Sequence, residues 1–203
     1  MNHHGPIIGM FGGCHRAEGF VAAVIMVFTT WFWRWFKPMD VSTHSSVGFI
    51  YADGHREIYE SREGKCWLGP IPVEKVEAWV ARKPKKRRFT MYDIPAYLIS
   101  GEAARRKHSR CEDMLFVWVY PIKQLPRMGI RKYLPFLPMK PTPNAPPCSE
   151  SATIIFDPEV DVCKLVGKSI PDLITPYDFE HAMKAVCAAH RHKPTDTADA
   201  YSQ

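Results

Sequence analysis

A cysteine that follows two prolines is the residue of this chain best suited to nucleophilic chemistry. Pro146 and Pro147 keep the backbone extended, and an apolar run over 152–156 begins just after Cys148. Cys148 is therefore predicted to open a helix, where the amide dipoles favour negative charge and lower the pKa of a thiol. The same pattern is also typical of an unreactive cysteine that is buried at a helix start.

A thiol nucleophile needs an imidazole within hydrogen-bond reach, and that imidazole needs a polar group to orient it. His44 stands near the start of segment 41–51, which is rich in β-branched and aromatic residues and predicts a strand. Four of the other histidines lie in segments predicted to be terminal tails: His3, His4, His190 and His192. His44 is therefore the candidate general base.

The orienting group can come from the neighbouring strand if the hairpin turn has three residues. Residues 52–54 are a turn signal, and the return strand ends in Glu60. With a three-residue turn whose last glycine is left-handed, Ser46 faces Glu60, and Glu60 shares a face with His44. With a two-residue turn, Glu60 points to the other face and is only a strand-end carboxylate. Glycine in the third place favours the first alternative.

Apolar periodicity predicts both helices and strands around these residues. A largely buried helix is predicted over 18–36, strands over 41–51, 56–60, 65–68 and 89–94, and helices over 73–83, 100–119 and 178–191. Residues 1–17 are predicted to be flexible, and 193–203 to be a disordered tail. The remainder, 18–192, is predicted to be a single α+β domain. In that domain a small antiparallel sheet packs against helices, and a proline-rich insertion occupies 121–147.

Composition indicates a globular domain, and no cofactor is expected. The chain has 203 residues, 46% hydrophobic and 24% charged, which is enough to bury a sizeable core. The densest basic run, 82–88, is more typical of a solvated loop than of a nucleic-acid site. The six cysteines lack short pairing spacings, so reduced thiols are predicted. Two groupings contain potential zinc ligands: His108 with Cys111, and Cys187 with His190 and His192. Structural zinc normally needs four ligands at closer spacing, so no metal is expected.

The apolar run 19–33 raises the question of a membrane. It is shorter than the roughly 20 residues of a transmembrane helix, and it lacks the basic start and small-residue cleavage site of a signal peptide. The run is predicted to pack in the core, with membrane-surface contact through Trp31–Phe36 as the alternative. Without a cleavable signal, cytoplasmic synthesis is predicted.

The order of these motifs resembles that of a known group of enzymes. The matching segments are F-T at 28–29, H-S-S-V-G-F at 44–49, E-I-Y-E-S at 57–61, C-S-E-S at 148–151 and L-I-T-P-Y-D at 173–178. They resemble the circularly permuted papain-like hydrolases, the YiiX-like branch of the NlpC-type amidase superfamily, with lecithin retinol acyltransferase as a more distant relative. The chain departs from that pattern in two extra residues after the histidine and in a long proline-rich approach to the cysteine.

The resemblance implies a permuted papain-like (NlpC-type) fold and a Cys-His-Glu triad. Cys148 would be the nucleophile, His44 the general base and acid, and Glu60 the residue that orients the imidazole. The implied activity is hydrolysis of an amide through an acyl-enzyme, with a peptide, such as a cell-wall (peptidoglycan) peptide, as the substrate. Two alternatives stay open: a thioester-forming lipid acyltransferase or hydrolase, and an inactive structural protein of a virion or other large assembly.

Overall fold

The computed structural model of the chain describes residues 4–16, 42–61, 67–114, 148–169, 171, 174–189 and 195–196. These residues form a six-stranded sheet in the spatial order β4-β3-β2-β1-β5-β6, and every neighbouring pair is antiparallel. The strands are β1 (Ile7–Arg16), β2 (His44–Tyr51), β3 (Arg56–Ser61), β4 (Trp67–Pro72), β5 (Arg88–Asp93) and β6 (Thr195–Asp196).

Helices cover both faces of the sheet. They are α1 (Val73–Ala81), α2 (Gly101–Met114), α3 (Cys148–Phe156), α4 (Val162–Leu165) and α5 (Pro176–Ala189). Because side chains alternate along a strand, Met10 and Tyr59 pack with α2, α3 and α5, whereas their neighbours Phe11 and Ile58 pack with α1. The predicted α+β class with an antiparallel sheet against helices is confirmed. Among the described helices, none is long and apolar enough to span a bilayer.

The prediction that residues 1–17 are flexible is wrong for Ile7–Arg16, which is a central strand of the sheet. β1 pairs with β2 along one side and with β5 along the other. Its glycines accommodate large neighbours: a Cβ on Gly12 would lie 2.6 Å from Met183 Sδ, and one on Gly13 would lie 3.0 Å from the Phe89 ring. Glycine has low strand propensity in general, but here the packing on both faces requires it.

The predicted tail also contributes to the sheet. Within the segment expected to be disordered, 193–203, Thr195–Asp196 pairs with Thr90 and Met91 of β5. The edge of β5 offers unpaired backbone groups, which a short extended segment can satisfy whatever its composition. The domain therefore exceeds the predicted 18–192 at both ends. The predicted helix over 18–36, the insertion over 121–147 and the last part of the predicted helix over 100–119 lie outside the described residues.

Candidate functional site

The β2–β3 hairpin aligns His44 with Glu60 through a three-residue turn, as predicted. Gly54 has a φ of +87°, and the Tyr51 N–H donates to the His55 carbonyl at 2.9 Å across the turn. The register that follows pairs Ser46 with Glu60. The Glu60 side chain therefore lies diagonally across from that of His44, on the same face.

Helix α3 begins at Cys148, as the sequence predicts, and its first turn is held by the start of α5. Ser149 Oγ donates to the Ile174 carbonyl at 2.6 Å. The next residue, Thr175, caps α5 reciprocally with Asp178: the Asp178 N–H donates to Thr175 Oγ1 at 3.2 Å, and the Thr175 N–H donates to Asp178 Oδ2 at 3.0 Å. Hydrogen bonds from the C-S-E and T-P-Y-D motifs thus hold the starts of α3 and α5 together and fix the position of Cys148.

The structure brings Cys148, His44 and Glu60 together where β2 begins. The His44 side chain hydrogen-bonds to Cys148, and its Nε2 lies 2.9 Å from Glu60 Oε2. Because Nε2 faces the carboxylate, Nδ1 is the ring nitrogen left to face the sulfur. Glu60 acts on the imidazole through both a side-chain hydrogen bond and its negative charge. Cys148 is 2% exposed and Glu60 1%, which leaves little water to screen that attraction.

The electrostatics favour a thiolate–imidazolium pair. Burial alone would favour the neutral forms. It is outweighed at Cys148 by the charge and hydrogen bond of His44 and by the backbone N–H groups of Ser45 and Ser149, which together lower the thiol pKa from 9.0. At His44 burial is likewise outweighed by the charge and hydrogen bond of Cys148 and by Glu60, which raise the imidazole pKa to about 10.

Among the described cysteines, the lowered pKa is specific to Cys148. Burial raises the thiol pKa of each of the others, which are Cys14, Cys111, Cys163 and Cys187. All five are free thiols. A reactive thiol is distinguished from an inert core cysteine by such a local electropositive environment, so the alternative reading of Cys148 as an inert buried thiol is disfavoured.

A second histidine, not considered from the sequence, lies beside the triad. His15 on β1 is directly opposite His44, and the two rings meet edge to face at 5.3 Å. His15 Nε2 lies 3.0 Å from Ser46 Oγ and 3.7 Å from Glu60 Oε2. The sequence signal that could have identified His15 is the apolar, glycine-containing run before it. That run predicts a buried strand only if its glycines are interpreted as positions of close packing.

A buried ion pair fixes the chain just before His44. Glu180 on α5 accepts from Ser42 Oγ at 2.6 Å, from Arg88 Nη2 at 2.9 Å and from the Tyr92 hydroxyl at 2.9 Å. Burial raises the pKa of Glu180, but the positive charge of Arg88, the hydrogen bond from Ser42 and the charge and hydrogen bond of Lys184 outweigh it and hold the pKa below its usual value. The approach to β2 is thereby tied to β5 and α5, which limits how far the imidazole can move.

The chain matches no known family model, and no curated protein or solved structure matches it.

Proposed function

We propose that this protein is a cysteine hydrolase of the permuted papain-like class that cleaves an amide bond. The observation that carries the proposal is the alignment of a helix-start thiol, an imidazole and a buried carboxylate: Cys148 hydrogen-bonds to His44, whose Nε2 is 2.9 Å from Glu60. The order of these residues along the chain, with histidine before cysteine, supports the permuted arrangement over the papain one.

The reaction starts from the ion pair. The Cys148 thiolate attacks the carbonyl carbon of the substrate, and the new oxyanion is held by backbone N–H groups at the start of α3, where no intrahelical carbonyl uses them. His44 then donates its proton to the leaving amine, and the thioester forms as the C–N bond breaks. Water attacks the thioester with His44 as general base, and the acid product leaves. Glu60 keeps the imidazole oriented throughout and stabilises its protonated form.

Amide hydrolysis is favoured over lipid acyl transfer because of the charge on His44. An amine is a poor leaving group until it is protonated, and an imidazole with a pKa of about 10 holds a proton ready at neutral pH. A peptide, including a cell-wall peptide, is therefore the substrate class we propose.

Alkylation and acyl trapping test this proposal. At pH 7, iodoacetamide is expected to label Cys148 faster than Cys163, which is partly exposed but has a raised pKa. Peptidoglycan fragments and lipid esters are then supplied in parallel, and the intact protein is weighed for an acyl adduct that Cys148→Ala cannot form. Cys163→Ala is the matched control and retains the adduct.

The proposal is contradicted if Cys148 is labelled no faster than Cys163 and neither substrate gives an adduct. That result would favour a non-catalytic protein of the same architecture. An adduct from lipid esters alone would favour the acyltransferase instead.

A further inference from the structure

A second cluster of potential ligand atoms lies at the tip of the β2–β3 hairpin. Its nearest member to the triad, Glu57, precedes Glu60 by three residues along β3, which is about 10 Å of strand, and the rest of the cluster lies farther toward the turn. His4, His55 and Glu57 each offer one ligand atom there, and these atoms lie within 4.8 Å of one another. We propose that His4, His55 and Glu57 bind a divalent transition-metal ion such as Zn²⁺. The proposal does not depend on the triad, and it departs from the sequence-based expectation of no metal.

The backbone around His4 is held against the hairpin. The Ala52 N–H donates to the Pro6 carbonyl at 2.9 Å. Gly5, which precedes Pro6, lies so close to the turn that a Cβ on it would be 3.3 Å from the Ala52 Cβ. The segment that leads into β1 thus brings His4 to the turn, which explains how a residue 51 positions before His55 in the sequence can share a site with it.

Asp53 prepares His4 as a ligand. Asp53 Oδ2 lies 3.2 Å from His4 Nδ1, and Asp53 Oδ1 accepts the His55 N–H at 2.9 Å. A proton held on Nδ1 by a carboxylate leaves the Nε2 lone pair for a metal, which is the usual outer-sphere arrangement of a ligating histidine.

Glu57 is the anchored carboxylate of the cluster. Its side chain is buried; Oε2 accepts the Tyr51 hydroxyl at 2.7 Å, while Oε1 lies 3.2 Å from His55 Nε2. Two ligands at about 2.1 Å from one metal ion are about 3.2–3.4 Å apart at bond angles near tetrahedral. The spacing between His55 and Glu57 therefore already suits a shared ion.

The imidazole rings must turn to complete the site. His4 and His55 are stacked, with centroids 3.6 Å apart and planes at 8°. A metal lies in the plane of each imidazole that binds it, so parallel rings cannot both ligate one ion. The His4 side chain is 25% exposed and has room to rotate outward. Metal binding is thus expected to break the stack, which provides a signature independent of affinity.

The ligand set selects the class of ion. Two imidazoles and one carboxylate suit Zn²⁺, Co²⁺ or Ni²⁺, whereas Ca²⁺ and Mg²⁺ prefer oxygen ligands alone. Three protein ligands leave at least one position for water, as in open rather than closed zinc sites.

Titration of the full, untagged chain tests the site. A Cys148→Ser background is used, since the thiolate is itself a zinc ligand. Zn²⁺ is followed by calorimetry, Co²⁺ by its visible absorbance, and the histidine ring protons by NMR. We expect one ion per chain, loss of the ring-stacking shifts, and binding weakened at least tenfold by His55→Ala or Glu57→Gln. His181→Ala, an exposed histidine of α5, is the matched control and is expected to bind as the background does.

The histidine variant keeps the test valid if the buried Glu57 cannot be replaced without unfolding. Asp53→Asn is expected to weaken binding by about tenfold, the lower end of the effect of outer-sphere partners. Equal affinity in the background and in His55→Ala would overturn the proposal, as would the absence of Zn²⁺ and Co²⁺ binding up to about 1 mM.

Discussion

Replacing Glu60 with glutamine removes the negative charge beside His44 with little change in shape. Glu60 is 1% exposed, and its Oε2 is 2.9 Å from His44 Nε2. With about 4 Å between charge centres and an effective dielectric constant of about 20, this attraction is worth about 4 kcal/mol. That energy is a factor of about 1,000 in the equilibrium between the thiolate–imidazolium pair and the neutral pair. It is an upper limit, because the His44 side chain is 16% exposed.

The pH dependence of Cys148 alkylation reports this equilibrium. In the wild type the lowered thiol pKa raises the thiolate fraction at neutral pH, and His44 stays protonated until the pH passes about 10. In Glu60→Gln the ion pair is disfavoured, and a thiol with the ordinary pKa of 9.0 is only about 1% ionised at pH 7. We expect labelling by iodoacetamide at pH 7 to slow by up to about 100-fold and the two rates to converge near pH 10.

Glu57→Gln is the matched control, because Glu57 is also a buried carboxylate of β3 but lies three residues farther from the triad. Its alkylation profile is expected to follow the wild type, and thermal unfolding of both variants shows whether the fold is intact. If Glu60→Gln and the wild type give superimposable profiles, Glu60 does not govern the charge on His44, and the role assigned to it is wrong.

Two further substitutions test the strands around the triad. His15→Ala is expected to slow alkylation at pH 7 by less than Glu60→Gln does, because His15 positions the carboxylate without carrying its charge; His15→Gln, which keeps a donor, should restore the rate. Gly48→Ala would overlap the Phe11 ring and is expected to destabilise the fold by about 1–3 kcal/mol in urea unfolding. The control Gly9→Ala, whose Cβ would be 3.6 Å from its nearest neighbour, should be tolerated; equal stability of the two alanine variants would contradict the packing argument.

The parts of the site that could be predicted depend on short-range rules. A glycine in the third place of the turn sets the hairpin register, so the alignment of Glu60 with His44 follows from a few residues. The helix start at Cys148 follows similarly from the prolines before it and the apolar run after it. Neither rule depends on knowing what packs against the segment.

The parts that could not be predicted depend on contacts between distant segments. β1 contains the glycines Gly9, Gly12 and Gly13, a pattern that locally favours a loop. It becomes a strand because β2 and β5 pair with it on both sides and large side chains occupy the space over its glycines. His15 was missed with it, and so was the cluster at His4, whose partners are about 50 residues away in the sequence.

The central position of β1 also affects how fast the chain can fold, because its partners are distant in the sequence. Gly12 pairs with Val47, 35 residues later, and Phe11 pairs with Asp93, 82 residues later. β1 therefore takes its place in the sheet only through pairings with distant segments, and contacts of such long range are expected to make folding slow. A cut that removes β1 would divide the sheet into a β4-β3-β2 part and a β5-β6 part. Cys148, which follows β1–β5 in the sequence, joins a framework that β1 holds together.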